Sequence, residues 1–141
     1  MQLVDTNIVG NLLLDGPQGP AARALYAKDS DWTSEPLLFV ELTNVLVTGL
    51  RQKRLSTAQA ESALARAHEM LDGYLHLTPD RRVLALAARY GISGYDARFI
   101  CVALEIGSPL VTEDAGLRRK VPDATRSMAE ALAAGGSHGT L

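Results

Sequence analysis

The chain has 141 residues, 47% of them apolar, and 14 Lys and Arg against 16 Asp and Glu leave a net charge of -2. That length encloses one core and fits one domain, and the near-balanced charge excludes nucleic-acid binding through overall positive charge, leaving only local basic patches for that role. No run approaches the roughly 18–20 apolar residues of a membrane span, "MQLVDTNIVG" lacks the form of a signal peptide, and the lone Cys101 in "FICVAL" reads as a small buried hydrophobe, so a soluble cytoplasmic protein without membrane contact is expected.

In chain order, "MQLVD" is an apolar run that ends at an acid, a first strand, and "TNIVGNLLL" turns to helical spacing through Ile8, Leu12 and Leu13. "GPQGP" is a loop, and "PAARALYAK" offers proline at a helix's first position. Trp32 and Thr33 suit a second strand. Ser34 stands at a helix start before Glu35-Pro36, and Leu38, Leu42, Val45 and Leu46 form one apolar face of that helix, which Gly49 weakens near its end. "STAQAESALARAHEML" is the next helix, closed by Gly73. "YLHLT" alternates as a third strand would, and "TPDRRVLALAARYG" is a helix with Thr78 as cap, Pro79 at its first position and Gly91 beyond its end. "SGYDARFICVALEIG" is another helix. "PLVTEDAGLRRK" is a short strand running into a helix, and "ALAAGGSHGTL" is expected to fray. Strands separated by helices imply an α/β protein with a mostly parallel sheet covered by helices.

Four acids stand where chemistry is expected. Asp5 ends the first strand and Asp114 follows "LVT"; in open parallel sheets, ligands bind in the crevice at the carboxyl ends of strands. Asp96 falls in the first turn of its helix, and Glu41 sits inside the otherwise apolar and amide-bearing run "SEPLLFVELTNVL". A partly desolvated carboxylate there costs several kcal/mol or takes up a proton unless something balances it. If the four converge, their mutual repulsion calls for a divalent cation. All-oxygen ligation selects a hard ion such as Mg²⁺, with Mn²⁺ as a substitute, and such an ion promotes phosphodiester hydrolysis without a protein nucleophile.

Taken together, "LVDTNIV" with Asp5, "FVELTNVL" with Glu41, "GYDARFICVALEIG" with Asp96 and "PLVTEDAGL" with Asp114 resemble the four acidic blocks of the PIN-domain ribonucleases, in order and spacing across nearly the whole chain. Among these, a single compact domain of this size is similar to the VapC-type toxins of toxin–antitoxin pairs. The resemblance implies a PIN-like α/β/α sandwich over residues 1–134 with a flexible C-terminal tail over 135–141. It implies a Mg²⁺-dependent endoribonuclease, often a homodimer, held inactive by an antitoxin. It places Asp5, Glu41, Asp96 and Asp114 as catalytic, metal-holding acids, Thr6 and Thr112 as hydroxyls near the metal, and Asn7 as a support for the first acid. Glu113 is an extra acid beside Asp114, at a position where the family varies.

Each acid also has a plainer explanation. Asp5 and Asp114 suit the caps of the helices that follow them, and Asp96 complements a helix dipole. Glu41 has no such role, so its alternative is a solvated edge or an ion pair with Arg51 or Arg98. Arg51, Lys53 and Arg54 form one basic cluster; Arg118, Arg119 and Lys120 form another, closer to Asp114 and the better candidate for RNA phosphates. His68, His76 and His138 lack metal-ligand spacing. Tyr95 or Trp32 could stack on a base, though Trp32 reads as core. Leu12, Leu13 and Leu25 suit either core packing or a groove for an antitoxin helix. Two other functions compete with RNA hydrolysis. One is a catalytically silent PIN-like module that binds RNA or protein. The other is phosphoryl transfer through an aspartyl nucleophile, for which "LVDTN" lacks the second Asp.

Overall fold

The computed structural model describes residues 1–71 and 75–135. Four short strands form one sheet: β1 (Gln2–Val4), β2 (Trp32–Thr33), β3 (Leu110–Val111) and β4 (Thr125–Arg126). Their order is β2-β1-β3-β4, and every neighbouring pair is parallel, with Leu3 opposite both Thr33 and Leu110 and Val111 opposite Arg126. Parallel strands need crossovers, and helices supply them. They are α1 (Thr6–Leu14), α2 (Gly19–Lys28), α3 (Leu37–Arg51), α4 (Thr57–Leu71), α5 (Asp80–Tyr90), α6 (Gly94–Ile106), α7 (Ala115–Lys120) and α8 (Met128–Ala133), with a 3-10 turn at Pro122–Ala124. The result is a four-stranded parallel sheet flanked by helices, an α/β/α arrangement.

The central strands are apolar on both faces because both are covered; Leu3, Val4, Leu110 and Val111 are fully buried. The core joins them to Ile8, Leu25, Trp32, Leu38, Leu42, Leu71 and Ile100. A smaller apolar cluster of Val83, Leu86, Ala97 and Cys101 fastens α5 to α6. Trp32 belongs to the core and donates from Nε1 to the Asp29 carbonyl at 2.8 Å. Leu25 is core as well, so it offers nothing to a partner, while Leu12 and Leu13 are half-buried. Gly49 has a packing reason to be glycine: a Cβ there would meet Leu55 Cδ1 at 2.6 Å, where the chain folds back beneath α3.

Four readings of the sequence are corrected. Of "YLHLT", whose Tyr74 lies outside the described residues, residues 75–78 do not form a strand: Leu75 makes an isolated parallel bridge to Ser34, the His76 N–H donates to the Ser34 carbonyl at 3.0 Å, and no ladder follows. Thr78 does not cap α5, whose N-cap is Pro79 and whose first residue is Asp80; the Thr78 hydroxyl turns to Glu35 instead. Ser34 does not start α3, because its hydroxyl donates to the Val4 carbonyl at 2.7 Å and the helix begins at Leu37. The segment "ALAAGG" does not fray from its start, because Ala131–Ala133 end α8, a helix begun by a capping box of Ser127 and Glu130. Gly73, His138 and residues 136–141 lie outside the described residues.

Candidate functional site

The chain leaves β1 toward β2 on one side and returns to β3 on the other, so the β1–β3 boundary is the point where strand order reverses. Crevices open there, at the carboxyl ends of the strands. Asp5 follows β1 directly, and its N–H donates to the Val111 carbonyl at 3.4 Å. Asp114 follows β3 by three residues. Both acids cap helices: Asp5 accepts the Ile8 N–H at 3.2 Å and Asp114 accepts the Leu117 N–H at 3.0 Å. Capping uses one carboxylate oxygen of each and leaves the other for the crevice. The buried Thr112 hydroxyl serves both acids, accepting the Asp114 N–H at 3.1 Å and hydrogen-bonding to the Asp5 carboxylate.

The two other acids arrive on helices. Glu41 is mid-α3, and its Oε1 accepts from the buried Thr6 hydroxyl at 2.6 Å. Asp96 lies in the first turn of α6, where its N–H donates to the N-cap Ser93 at 2.9 Å. All four acids line one cavity of about 430 Å³, with Thr6, Asn7 and Asn44 as further polar lining and Leu37, Val40, Phe99 and Leu117 among the apolar walls. The convergence expected from the sequence is therefore present, drawn from two strand ends and two helices.

Electrostatics separate this cavity from an ordinary solvated surface. Burial pushes the Asp5 carboxyl from 3.8 up to about 6; hydrogen bonds from Thr112 and Ile8 pull it down, while Glu41 and Asp96 push it further up. Asp96 is also raised, by burial and then by Asp114, against the opposing pull of Ser93 and Lys120. Among the described residues no Lys or Arg forms a salt bridge with any of the four. Arg98, one of the two cations considered for Glu41, is engaged elsewhere, with Glu35 at 3.1 Å and Asp80 at 3.5 Å.

Glu35 is the acid that the sequence reading passed over. It is 0% exposed, and its carboxylate accepts from Arg98 Nε, from the Thr78 hydroxyl at 3.3 Å and from the Leu37 N–H at 2.6 Å. Its position before a proline reads as a solvated helix start, and only Arg98, far along the chain, gives it away. Glu113 turns out of the crevice and accepts the Met128 N–H at 2.8 Å. Asn7 lines the cavity, and its carbonyl accepts from Asn11. His68 stacks on Phe39 at 4.0 Å between ring centroids. In the second basic cluster, Arg118 donates to the Thr112 carbonyl at 2.7 Å and Lys120 to the Gly91 carbonyl at 3.1 Å, while Arg119 is exposed beside Asp114. Arg51, Lys53 and Arg54 are exposed and none lines the cavity. Tyr95 lines it and is 66% exposed.

Four carboxylates that make no salt bridge among the described residues are a donor set for a hard, oxygen-seeking ion, and Asp5, raised mainly by burial, is raised a little further by Glu41 and Asp96. In chemistry the residues fit a divalent cation. In spacing they do not close on one: among the described residues no group of three Asp, Glu, His or Cys side chains forms a finished ligand set.

Comparison with known proteins agrees with this geometry. No curated protein matches the chain. The crystal structure of PAE2754 from Pyrobaculum aerophilum superposes with a TM-score of 0.72 at 22% identity, covering 94% of this chain and 92% of that one, a likeness of fold. The family model of the PIN domain matches residues 3–121, a span that holds all four acids. On that match, and on a parallel sheet that opens an acidic crevice where its strand order reverses, the chain belongs to the PIN-domain family.

Proposed function

We propose that the protein is a cytoplasmic Mg²⁺-dependent endoribonuclease that hydrolyses RNA phosphodiester bonds, and that it is the VapC-type toxin of a type II toxin–antitoxin pair. One observation carries the reading: four acids from separate elements line a single cavity, and among the described residues none of them is in a salt bridge with a lysine or arginine. PIN domains are typically metal-dependent nucleases, and the donor set suits Mg²⁺, with Mn²⁺ able to replace it. When bound, such an ion supplies the missing positive charge and Lewis acidity toward a phosphodiester.

The chain's own residues do the remainder. Asp5, Glu41, Asp96 and Asp114 hold the cation site. Thr6 fixes the Glu41 carboxylate and Thr112 fixes that of Asp5, so each acid presents a set oxygen to the cavity. Asn7 stands on the rim beside Asp5. Arg119 and Lys120, both exposed just past Asp114, would meet flanking phosphates, and the exposed Tyr95 ring would stack on an unpaired base. A cognate antitoxin would silence the site by inserting an arginine among the acids, satisfying the same charge that the metal satisfies. A second copy of the chain would cover exposed apolar side chains outside the cavity, such as Leu77 and Leu84.

The absence of a finished three-acid ligand set among the described residues favours a second reading, a catalytically silent PIN-like module that binds RNA or a protein. Incubation with total RNA separates the two. Hydrolysis is expected in Mg²⁺ and not in chelator, with Asp96→Asn slower by about a hundredfold or more. RNA left intact by the wild type in Mg²⁺ and in Mn²⁺ would establish the silent module.

A further inference from the structure

The acidic cavity is a wedge between two helices. Leu37, Val40, Glu41, Asn44 and Val45 line it from α3, and Tyr95, Asp96 and Phe99 from α6. Elsewhere the two helices make few close backbone approaches, since α3 packs mainly on α4 and α1, and α6 on α5. At the entrance to α3, however, Glu35 reaches across. Its Oε1 accepts from Arg98 Nε at 3.1 Å, and Arg98 lies on α6 two residues beyond Asp96. The other carboxylate oxygen, Oε2, accepts the Leu37 N–H at 2.6 Å, so the same group is fastened to the first turn of α3. Thr78, just before α5, donates to Oε1 at 3.3 Å and leaves the buried carboxylate well supplied with donors.

A sealed carboxylate paired with a partly buried guanidinium is a poor device for stability alone, because apolar side chains of similar volume usually serve as well or better. What it adds is direction. A planar guanidinium and a carboxylate that is bonded to its own helix admit little sliding. We propose that the Glu35–Arg98 pair is the positioning device that fixes the separation of the Glu41 and Asp96 walls and thereby sets the divalent-ion affinity of the cavity. This rests on the metal-dependent reading above.

The test is direct Mn²⁺ binding to the full chain, by calorimetry and by the metal-induced rise in Tm, for wild type, Glu35→Gln/Arg98→Gln and Arg98→Lys. The double variant removes both charges and strands neither. It is expected to keep its circular dichroism, to bind Mn²⁺ about tenfold more weakly, and to need about tenfold more Mg²⁺ for half-maximal cleavage, while kcat at saturating Mg²⁺ and KM for RNA stay within about twofold. Arg98→Lys keeps the charge but loses the rigid fork, and a partial weakening of a few fold is expected. Wild-type Mn²⁺ affinity in the folded double variant overturns the inference; if that variant does not fold, wild-type affinity in Arg98→Lys does so. A wild type that binds no Mn²⁺ defeats the metal-dependent reading itself, and this inference with it.

Discussion

Two sets of acids, Glu35 alone just before α3 and the four acids that line the cavity, are treated in opposite ways. Glu35 is sealed from water and fully supplied, with an arginine, a hydroxyl and a backbone N–H on its two oxygens. Asp5, Glu41, Asp96 and Asp114 share a cavity, receive hydroxyl and backbone hydrogen bonds, and have no arginine or lysine in salt-bridge contact among the described residues. The fold thus neutralises a carboxylate when it needs one internally and withholds the cation where the crevice opens. An acid that is buried and compensated is part of the scaffold. One that borders the cavity without a salt-bridge partner among the described residues is open to a charge from outside.

The contrast breaks most sharply at Glu35. Glu35→Ala strands the Arg98 guanidinium and leaves the Leu37 N–H and the Thr78 hydroxyl without their acceptor. Because the Arg98 side chain keeps 30% exposure, the cost falls at the low end for a broken buried pair, about 3 kcal/mol, or a fall in Tm of about 10 °C. Chemical denaturation at pH 7 measures it, and a loss below about 1 kcal/mol would mean that the pair is solvated rather than structural.

Asp5→Asn should move stability the other way. The folded-state pKa of Asp5 is about 6 against 3.8 for the free side chain, so the native state holds a proton that the unfolded chain releases. The penalty for ionising Asp5 is absent below pH 4, grows as pH rises from about 4 to about 6, and is constant above that. Metal-free wild type should therefore gain up to about 3 kcal/mol as pH falls from 7 to 4 through this group alone. The Asn variant, which keeps the cap on α1, should show that gain at pH 7 and lack the acid-side rise. Saturating Mn²⁺ should reverse the ranking at pH 7, since only the wild type gains an ion there. Urea titrations across this pH range, with and without Mn²⁺, test both halves; an Asn variant less stable than metal-free wild type at pH 7 would contradict the uncompensated state of the cavity.

How far the sequence speaks depends on whether a residue's partner is local. Asp5 and Asp114 are legible because a strand, an acid and a helix start follow one another directly, and Glu41 because an acid stands out against an apolar helical face. Other features depend on chain brought from far away. β4 is only Thr125–Arg126, a polar pair whose Arg126 is buried because Nη2 reaches Gln2 of β1 at 2.8 Å. No local pattern marks that as a strand. The capping box of Ser127 and Glu130 was readable and would have located α8. "YLHLT" misled in the opposite sense: its alternation is that of a strand, but among its described residues only Leu75 finds a strand-like partner, and the Thr78 side chain is taken by Glu35. Glu35 itself is decided by Arg98, an ion pair across 63 positions that no window on the sequence contains.

Glu113 gives the smallest effect and the finest division between the two sets of acids. It adjoins Asp114, and by adjacency alone it belongs to the cavity, yet its Oε2 accepts the Met128 N–H at 2.8 Å and so supports the first turn of α8. A carboxylate on a helix's first N–H groups is worth about 0.3–1 kcal/mol when partly exposed. Glu113→Gln keeps an acceptor there and should cost no more than that, lowering Tm by at most about 4 °C. Mn²⁺ affinity and cleavage rate should stay at the wild-type level, because the charge removed faces α8 and not the crevice. A fall in Mn²⁺ affinity comparable with that of Asp114→Asn would bring Glu113 into the cavity with the other acids and show that its bond to Met128 is given up when a cation arrives.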